Sequence, residues 1–208
     1  ALESNGAELV PLSSLDDVGL PAVDALYIGG GFPETHAERL AGNRSMMESV
    51  KKAAVKGMPI YAECGGLIYL SRSVEYGGRV HPMAGLFPVD LAISRRPVGH
   101  GYAAVVVDTP NPFYAVGTSI RGHEFHYSGP TGESGDAKSC MKVESGVGIG
   151  GGRDGLVMAN TLACYLHVHA DGVGEWASSL VSKAAEYKAK RGKPSTGGGA
   201  SWIESKVI

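Results

Sequence analysis

Two short apolar runs in this chain end abruptly in glycine, and each is followed by residues with helical character. Ala25-Leu26-Tyr27-Ile28 stops at Gly29-Gly30-Gly31, after which Pro33-Glu34 suits the first turn of a helix. Pro59-Ile60-Tyr61-Ala62 leads through Glu63 and Cys64 into Gly65-Gly66, and Gly65 to Leu70 reads as a helix leaving a sharp turn. A short buried strand feeding a tight glycine turn gives this pattern. Between the two junctions, Arg44 to Lys56 is helical. Met46, Met47, Val50, Ala54 and Val55 are assigned to one side, with Gly57 at the end. The β-α-β-α order predicts an α/β fold with a mostly parallel sheet and helices on both faces.

The remaining chain is less regular. Glu8-Leu9-Val10 reads as the end of a short strand. Tyr102 to Val107, Ile120 to His126, Leu156 to Ala159 and Leu162 to Leu166 read as further strands. Gly146 to Gly152 forms a glycine-rich turn, and Glu175 to Lys190 a last amphipathic helix. Lys193 to Gly199 has linker composition. Trp202-Ile203 and Val207-Ile208 follow it as elements that could dock on a neighbouring domain.

Composition narrows the function classes. A length of 208 residues fits one domain or one and a half, and 43% hydrophobic with 19% charged residues is globular. The net charge is -2 with no basic block, which argues against nucleic acid as the main partner. No apolar run approaches a membrane span. Ala1 to Asn5 lack the pattern of a signal peptide and resemble the middle of a helix, so the chain is expected to begin inside a longer gene product. Three cysteines cannot all pair, and none sits in a C-x-x-C spacing. Reduced thiols in a cytoplasmic protein are the simpler expectation.

Cys64 is the position where chemistry is expected. A nucleophile on a strand-turn-helix elbow needs small neighbours, because the turn is strained and the backbone passes close to substrate. The following backbone N–H groups can face an oxyanion, and a helix N-terminus favours a thiolate. The alternative is a buried structural cysteine. A thiol nucleophile needs a base. His167 and His169, in Tyr165-Leu166-His167-Val168-His169, end an apolar strand where functional side chains of parallel sheets collect. Strand spacing alone does not choose between them, and a metal site built on Cys164 and His167 has too few ligands. Arg121 precedes His123-Glu124-Phe125-His126, which is either an ordinary exposed face or a pocket wall where Arg121 binds a carboxylate. Gly29-Gly30-Gly31 is a tight turn or a second oxyanion donor. It is not a phosphate loop, since no G-K-[ST] follows.

Taken together, four segments resemble a known family. They are Tyr27 to Glu34, Ala62 to Leu67, Arg121 to Ser128 and Tyr165 to His169, in that order. The set is similar to the glutamine amidotransferase half of cobyrinic acid a,c-diamide synthases, from the first residues to about Lys190. The resemblance implies a class I glutamine amidotransferase fold with a flavodoxin-like sheet. It implies a domain over 1–190, with 191–208 as linker and tail. It further implies Cys64 as nucleophile, His167 as base, the N–H groups of Gly31 and Gly65 as oxyanion hole, and Arg121 as a glutamine contact.

Family members carry an ATP-dependent synthetase half with a phosphate-binding loop, which is absent from this chain. The resemblance therefore implies no cofactor or metal in this domain, with ATP and magnesium serving the synthetase half. The expected partners are glutamine, that synthetase domain and a tetrapyrrole acceptor held on it, with a homodimer left open. Many amidotransferases place a glutamate two residues after the catalytic histidine, where this chain has His169. Glu124 and His169 are thus the candidates for orienting His167. Ala170-Asp171-Gly172 departs from the bulkier aromatic residue expected after the second histidine. Alternatives are a different acceptor (a sirohydrochlorin, cobyric acid or a cell-wall lipid precursor) or an inactive domain that binds tetrapyrrole or metal.

Overall fold

The computed structural model describes residues 1–132, 137–191 and 205–207. Strand β1 (Ala7–Leu9) is followed by β2 (Leu26–Ile28), a short 3-10 turn (Pro33–His36), α1 (Ala37–Gly42) and α2 (Arg44–Val55). Next come β3 (Ile60–Glu63), α3 (Gly65–Leu70), β4 (Ser73–Tyr76), β5 (Arg79–Pro82) and β6 (Asp90–Ile93). The long strands β7 (Gly99–Val107) and β8 (Ser119–His126) lead to β9 (Ser128–Pro130), β10 (Lys138–Ser145), β11 (Arg153–Met158) and β12 (Thr161–Cys164). Helix α4 (Glu175–Arg191) completes the main body, and β13 (Ser205–Val207) pairs in parallel with β1. The linker at 193–199, Trp202, Ile203 and Ile208 lie outside the described residues.

Seven strands form the main sheet in the order β2-β3-β12-β11-β10-β7-β8. Only β2 with β3 and β3 with β12 are parallel, and the four remaining pairings are antiparallel. The α/β class expected from the sequence is present, but the sheet is parallel only on the side that carries the glycine junctions. The reason lies in the connections. Crossovers through helices join β2 to β3, whereas β7–β8 and β11–β12 are hairpins whose loops return the chain directly. A second sheet, β5-β4-β6-β9, was not foreseen. Its strands have three or four residues and bury at most one side chain each, so they lack an apolar alternation to read.

Alternation along the central strands sorts side chains onto two faces. Ile60 and Ala62 join a core with Met46, Val50, Leu67 and Leu70 from α2 and α3. Tyr61, Leu162 and Cys164 join the opposite core with Trp176 and Leu180 from α4. Helices therefore cover both faces, as expected. On α2 the buried set is Met46, Met47, Val50 and Ala54, while Val55 is 68% exposed and does not share that face.

One buried carboxylate fixes the exit of β12. Asp154 on β11 accepts hydrogen bonds from the backbone N–H groups of Tyr165 (3.0 Å) and Leu166 (3.0 Å). Burial pushes its pKa up to about 6, and the N–H donors oppose that rise. Asp154→Ala would leave two buried N–H groups without acceptors. We expect a loss of about 2–4 kcal/mol in urea unfolding. A loss below about 0.5 kcal/mol would show that water or another group takes over the acceptor role.

Candidate active site

The glycine junctions converge. Cys64 follows the last residue of β3 and heads α3, with φ of 45° and ψ of -94°. A non-glycine residue in that region is strained, and the surrounding structure must hold it there. Part of the restraint is visible: Cys64 N–H donates to Cys164 O at 2.7 Å, and Ile68 N–H donates to Cys64 O at 3.0 Å. Gly66 is required next to it, because a Cβ there would stand 2.5 Å from the Ile28 carbonyl oxygen. A Cβ on Gly65 would stand 2.8 Å from both the N and the O of Gly31. The loop after β2 and the start of α3 thus touch backbone to backbone. Among the described residues Gly31 N–H makes no hydrogen bond, and Gly65 N–H belongs to the first turn of α3, which has no intrahelical acceptor. Both glycines line a cavity of about 210 Å³ with Phe32, His36 and Tyr69. Another cavity, about 640 Å³, lies around Gly57 and Asn160 at the opposite ends of the strands and holds none of the predicted site residues.

His167 meets Cys64 from the other side. Strand β12 ends at Cys164, so the regular alternation that would place His167 and His169 together does not continue. Instead His167 exchanges backbone hydrogen bonds with His123 of β8, at 3.1 and 2.8 Å. The two imidazoles stack with centroids 4.8 Å apart and planes 10° from parallel. Gly30 lies against the edge of the His167 ring, in contact with Cε1 where a Cβ would have to go. A hydrogen bond to the Cys64 side chain, and then the Glu63 carboxylate, raise the His167 pKa to about 9 despite its burial. Cys64 is 4% exposed, and its Sγ lies 3.7 Å from the Phe125 carbonyl oxygen as donor. Cys140 and Cys164 are different: burial pushes the Cys140 thiol up to about 12 and that of Cys164 well above its usual range. Only Cys64 of the three has an imidazole partner.

The other predicted residues fall into place unevenly. On β8, residues 121, 123 and 125 alternate with the buried Ile120, Glu124 and His126. Arg121 is therefore on the exposed face that also presents His123 and Phe125, and it forms no ion pair among the described residues. Glu124 is on the buried face. Its carboxylate accepts from the N–H groups of Gly148 (2.8 Å) and Val147 (2.9 Å), and it tethers the glycine-rich turn after β10. His169 is 82% exposed at its side chain and pairs with Asp171 at 3.8 Å. Neither residue reaches His167, so both orienting candidates drawn from the sequence are corrected.

The carboxylate beside His167 is Glu63, which the sequence did not single out. Its Oε2 lies 3.7 Å from His167 Nδ1, and its side chain is 5% exposed. A signal was present, since an acidic residue directly before the cysteine, in an otherwise apolar strand, is expensive to bury without a partner. The parallel register that sets Glu63 opposite Cys164 supplies what the sequence lacked. Among the described residues no three His, Cys, Asp or Glu side chains cluster as a metal site, and no helix is long and apolar enough to cross a membrane.

Residues 1–174 match the family described as the CobB/CobQ-like glutamine amidotransferase domain. The chain belongs to this family. It is 42% identical over 180 residues to cobyrinate a,c-diamide synthase of Magnetococcus marinus, covering 86% of this chain and 38% of that protein. It is 43% identical over 185 residues to the enzyme of the same name from Archaeoglobus fulgidus, covering 89% and 40%. The chain thus spans about two fifths of the length of these relatives. Among solved structures, it resembles PurLQS from Thermotoga maritima with TM-score 0.58 and 18% identity over 83% of each chain. A glutamine amidotransferase crystal structure gives TM-score 0.56 and 16% identity over 78% and 79%. These likenesses establish the amidotransferase fold that the sequence motifs implied.

Proposed function

We propose that this domain hydrolyses glutamine and supplies the ammonia to an ATP-dependent synthetase domain, which amidates acetate side chains of a cobyrinate-type tetrapyrrole. The observation that carries the reading is Cys64 at a strained elbow where two glycine loops touch backbone to backbone, with its side chain the first cause of the raised His167 pKa.

Chemistry follows from that arrangement. Cys64 Sγ, as thiolate, attacks the side-chain carbonyl carbon of glutamine. Negative charge moves to the carbonyl oxygen, where the N–H groups of Gly31 and Gly65 receive it. His167 holds its proton at neutral pH and gives it to the amide nitrogen, which departs as ammonia while the thioester forms. The now neutral imidazole takes a proton from water. Hydroxide adds to the thioester, glutamate leaves, and the Cys64–His167 pair is restored. Arg121, exposed and without an ion-pair partner among the described residues, lies on the His123 face of β8 and is suited to the glutamine α-carboxylate.

The partners are proposed on the same basis. The relatives named above are cobyrinate a,c-diamide synthases, which supports this acceptor over the sirohydrochlorin, cobyric acid and cell-wall lipid alternatives. ATP and magnesium are assigned to the synthetase half, and no step in this domain uses them. Glutamine labelled with ¹⁵N at the side-chain amide, given to the complete enzyme with ATP and acceptor, should place the label in the product amides. Unlabelled product formed from free ammonium, with labelled glutamine untouched, would refute the proposal.

A further inference from the structure

We propose that Glu63 is the positioning carboxylate of this site, holding the His167 imidazole against Cys64 in place of the glutamate that many amidotransferases carry two residues after the histidine. The inference rests on the reading of Cys64 and His167 as nucleophile and base.

Three contacts give Glu63 this role. Its Oε2 faces His167 Nδ1 at 3.7 Å. The same oxygen accepts a hydrogen bond from the Tyr27 hydroxyl at 3.1 Å. Its Oε1 accepts from the backbone N–H of Val168 at 3.4 Å. One carboxylate thus holds both the ring and the main chain of the residue after it, and Tyr27 holds the carboxylate. The distances are longer than ideal, as is common in catalytic sites without substrate. His123 covers one ring face and Gly30 abuts the ring edge, so the imidazole has little freedom left. A carboxylate at Nδ1 favours the tautomer that carries its proton there, which leaves Nε2 for the thiol.

The elbow makes this geometry possible. Glu63 and Cys64 are neighbours in sequence, and on a regular strand their side chains would point to opposite faces. The positive φ of Cys64 turns its side chain out of the strand pattern. His167 leaves β12 beside β3, with Cys164 in register opposite Glu63, and so reaches both residues at once. The titratable groups around the ring are Cys64 and Glu63 from β3 and its elbow, and His123 and His126 from β8.

The test uses the complete enzyme, labelled with ¹⁵N-histidine and titrated by long-range ¹H–¹⁵N spectra, with His167→Asn assigning the resonance. In the parent enzyme His167 should titrate near 9 with a stable tautomer. Glu63→Gln should lower that midpoint by at least about one pH unit and cut glutaminase kcat about 10²-fold, with KM within twofold. Glu63→Asp should recover part of both. A midpoint and kcat unchanged in Glu63→Gln would overturn the proposal. A merely structural role predicts lower thermal stability with the midpoint unmoved. If Glu63→Gln does not fold, Tyr27→Phe decides: a lowered midpoint supports the proposal and an unchanged one overturns it. Cys64→Ala separates the two readings. If the pairing of Cys64 with His167 is wrong, Cys64→Ala leaves the midpoint in place while Glu63→Gln moves it. If only the Glu63 assignment is wrong, the reverse holds.

Discussion

Cys64→Ala in the complete enzyme is expected to lower glutamate release by about 10⁴-fold or more, as removal of a sole nucleophile does. The structural cost should be small. Alanine keeps the Cβ and meets the same backbone angles, so the strain at φ 45° is unchanged and only the sulfur is lost. Amidation driven by added ammonium should persist, because that route bypasses the thiol. The corresponding labelling experiment uses a glutamine-like electrophile. Cys64 should react first, while Cys140 and Cys164, fully enclosed and with raised pKa values, stay inert. Undiminished glutamate release from the alanine variant would sink the assignment.

Gly65→Ala is expected to cost about 10²–10³-fold in kcat, the range for loss of an oxyanion donor. The new Cβ would press on Gly31 N and O at 2.8 Å, and both are backbone atoms that cannot rotate aside. The loop after β2 must then move away from α3. Separation of the two N–H groups would leave the developing oxyanion with at most one donor. Alkylation of Cys64 by iodoacetamide needs no oxyanion hole and should fall less than tenfold. A parallel collapse of kcat and alkylation would instead mean that the elbow itself had been disturbed. Unchanged kcat would remove Gly31 and Gly65 from the mechanism.

Much of the site was legible along the chain because its parts are local. The elbow at Cys64 announces itself by an apolar strand, a thiol and two glycines in succession. The loop at Gly29 to Gly31 does so in the same way. Packing explains why these glycines are needed, since Gly65 and Gly66 each lie against backbone from the β2 segment. The orienting group was not legible. Spacing from His167 pointed to His169, and Glu124 was the other candidate. The first turns to solvent and the second closes on Val147 and Gly148. A contact 104 positions away, between Glu63 and His167, depends on which strands pair and in what register. The antiparallel half of the sheet was hidden for a related reason. Strand direction leaves no trace in the alternation of β7, β8 or β10, and the short strands of the second sheet alternate too weakly to be seen.

The amino-acid order by itself determined the α/β class, the elbow with its thiol, the glycine loop that faces it and the histidine-bearing strand end. These are properties of a few consecutive residues, and local sterics and apolar period specify them. Tertiary structure decided which histidine meets the thiol, which carboxylate stands behind that histidine, and how far the parallel pairing extends. Those outcomes come from long-range packing: β12 settling in parallel beside β3, and its exit pinned by Asp154 and His123. No short stretch of residues encodes them, because each requires segments about 100 residues apart to be brought together.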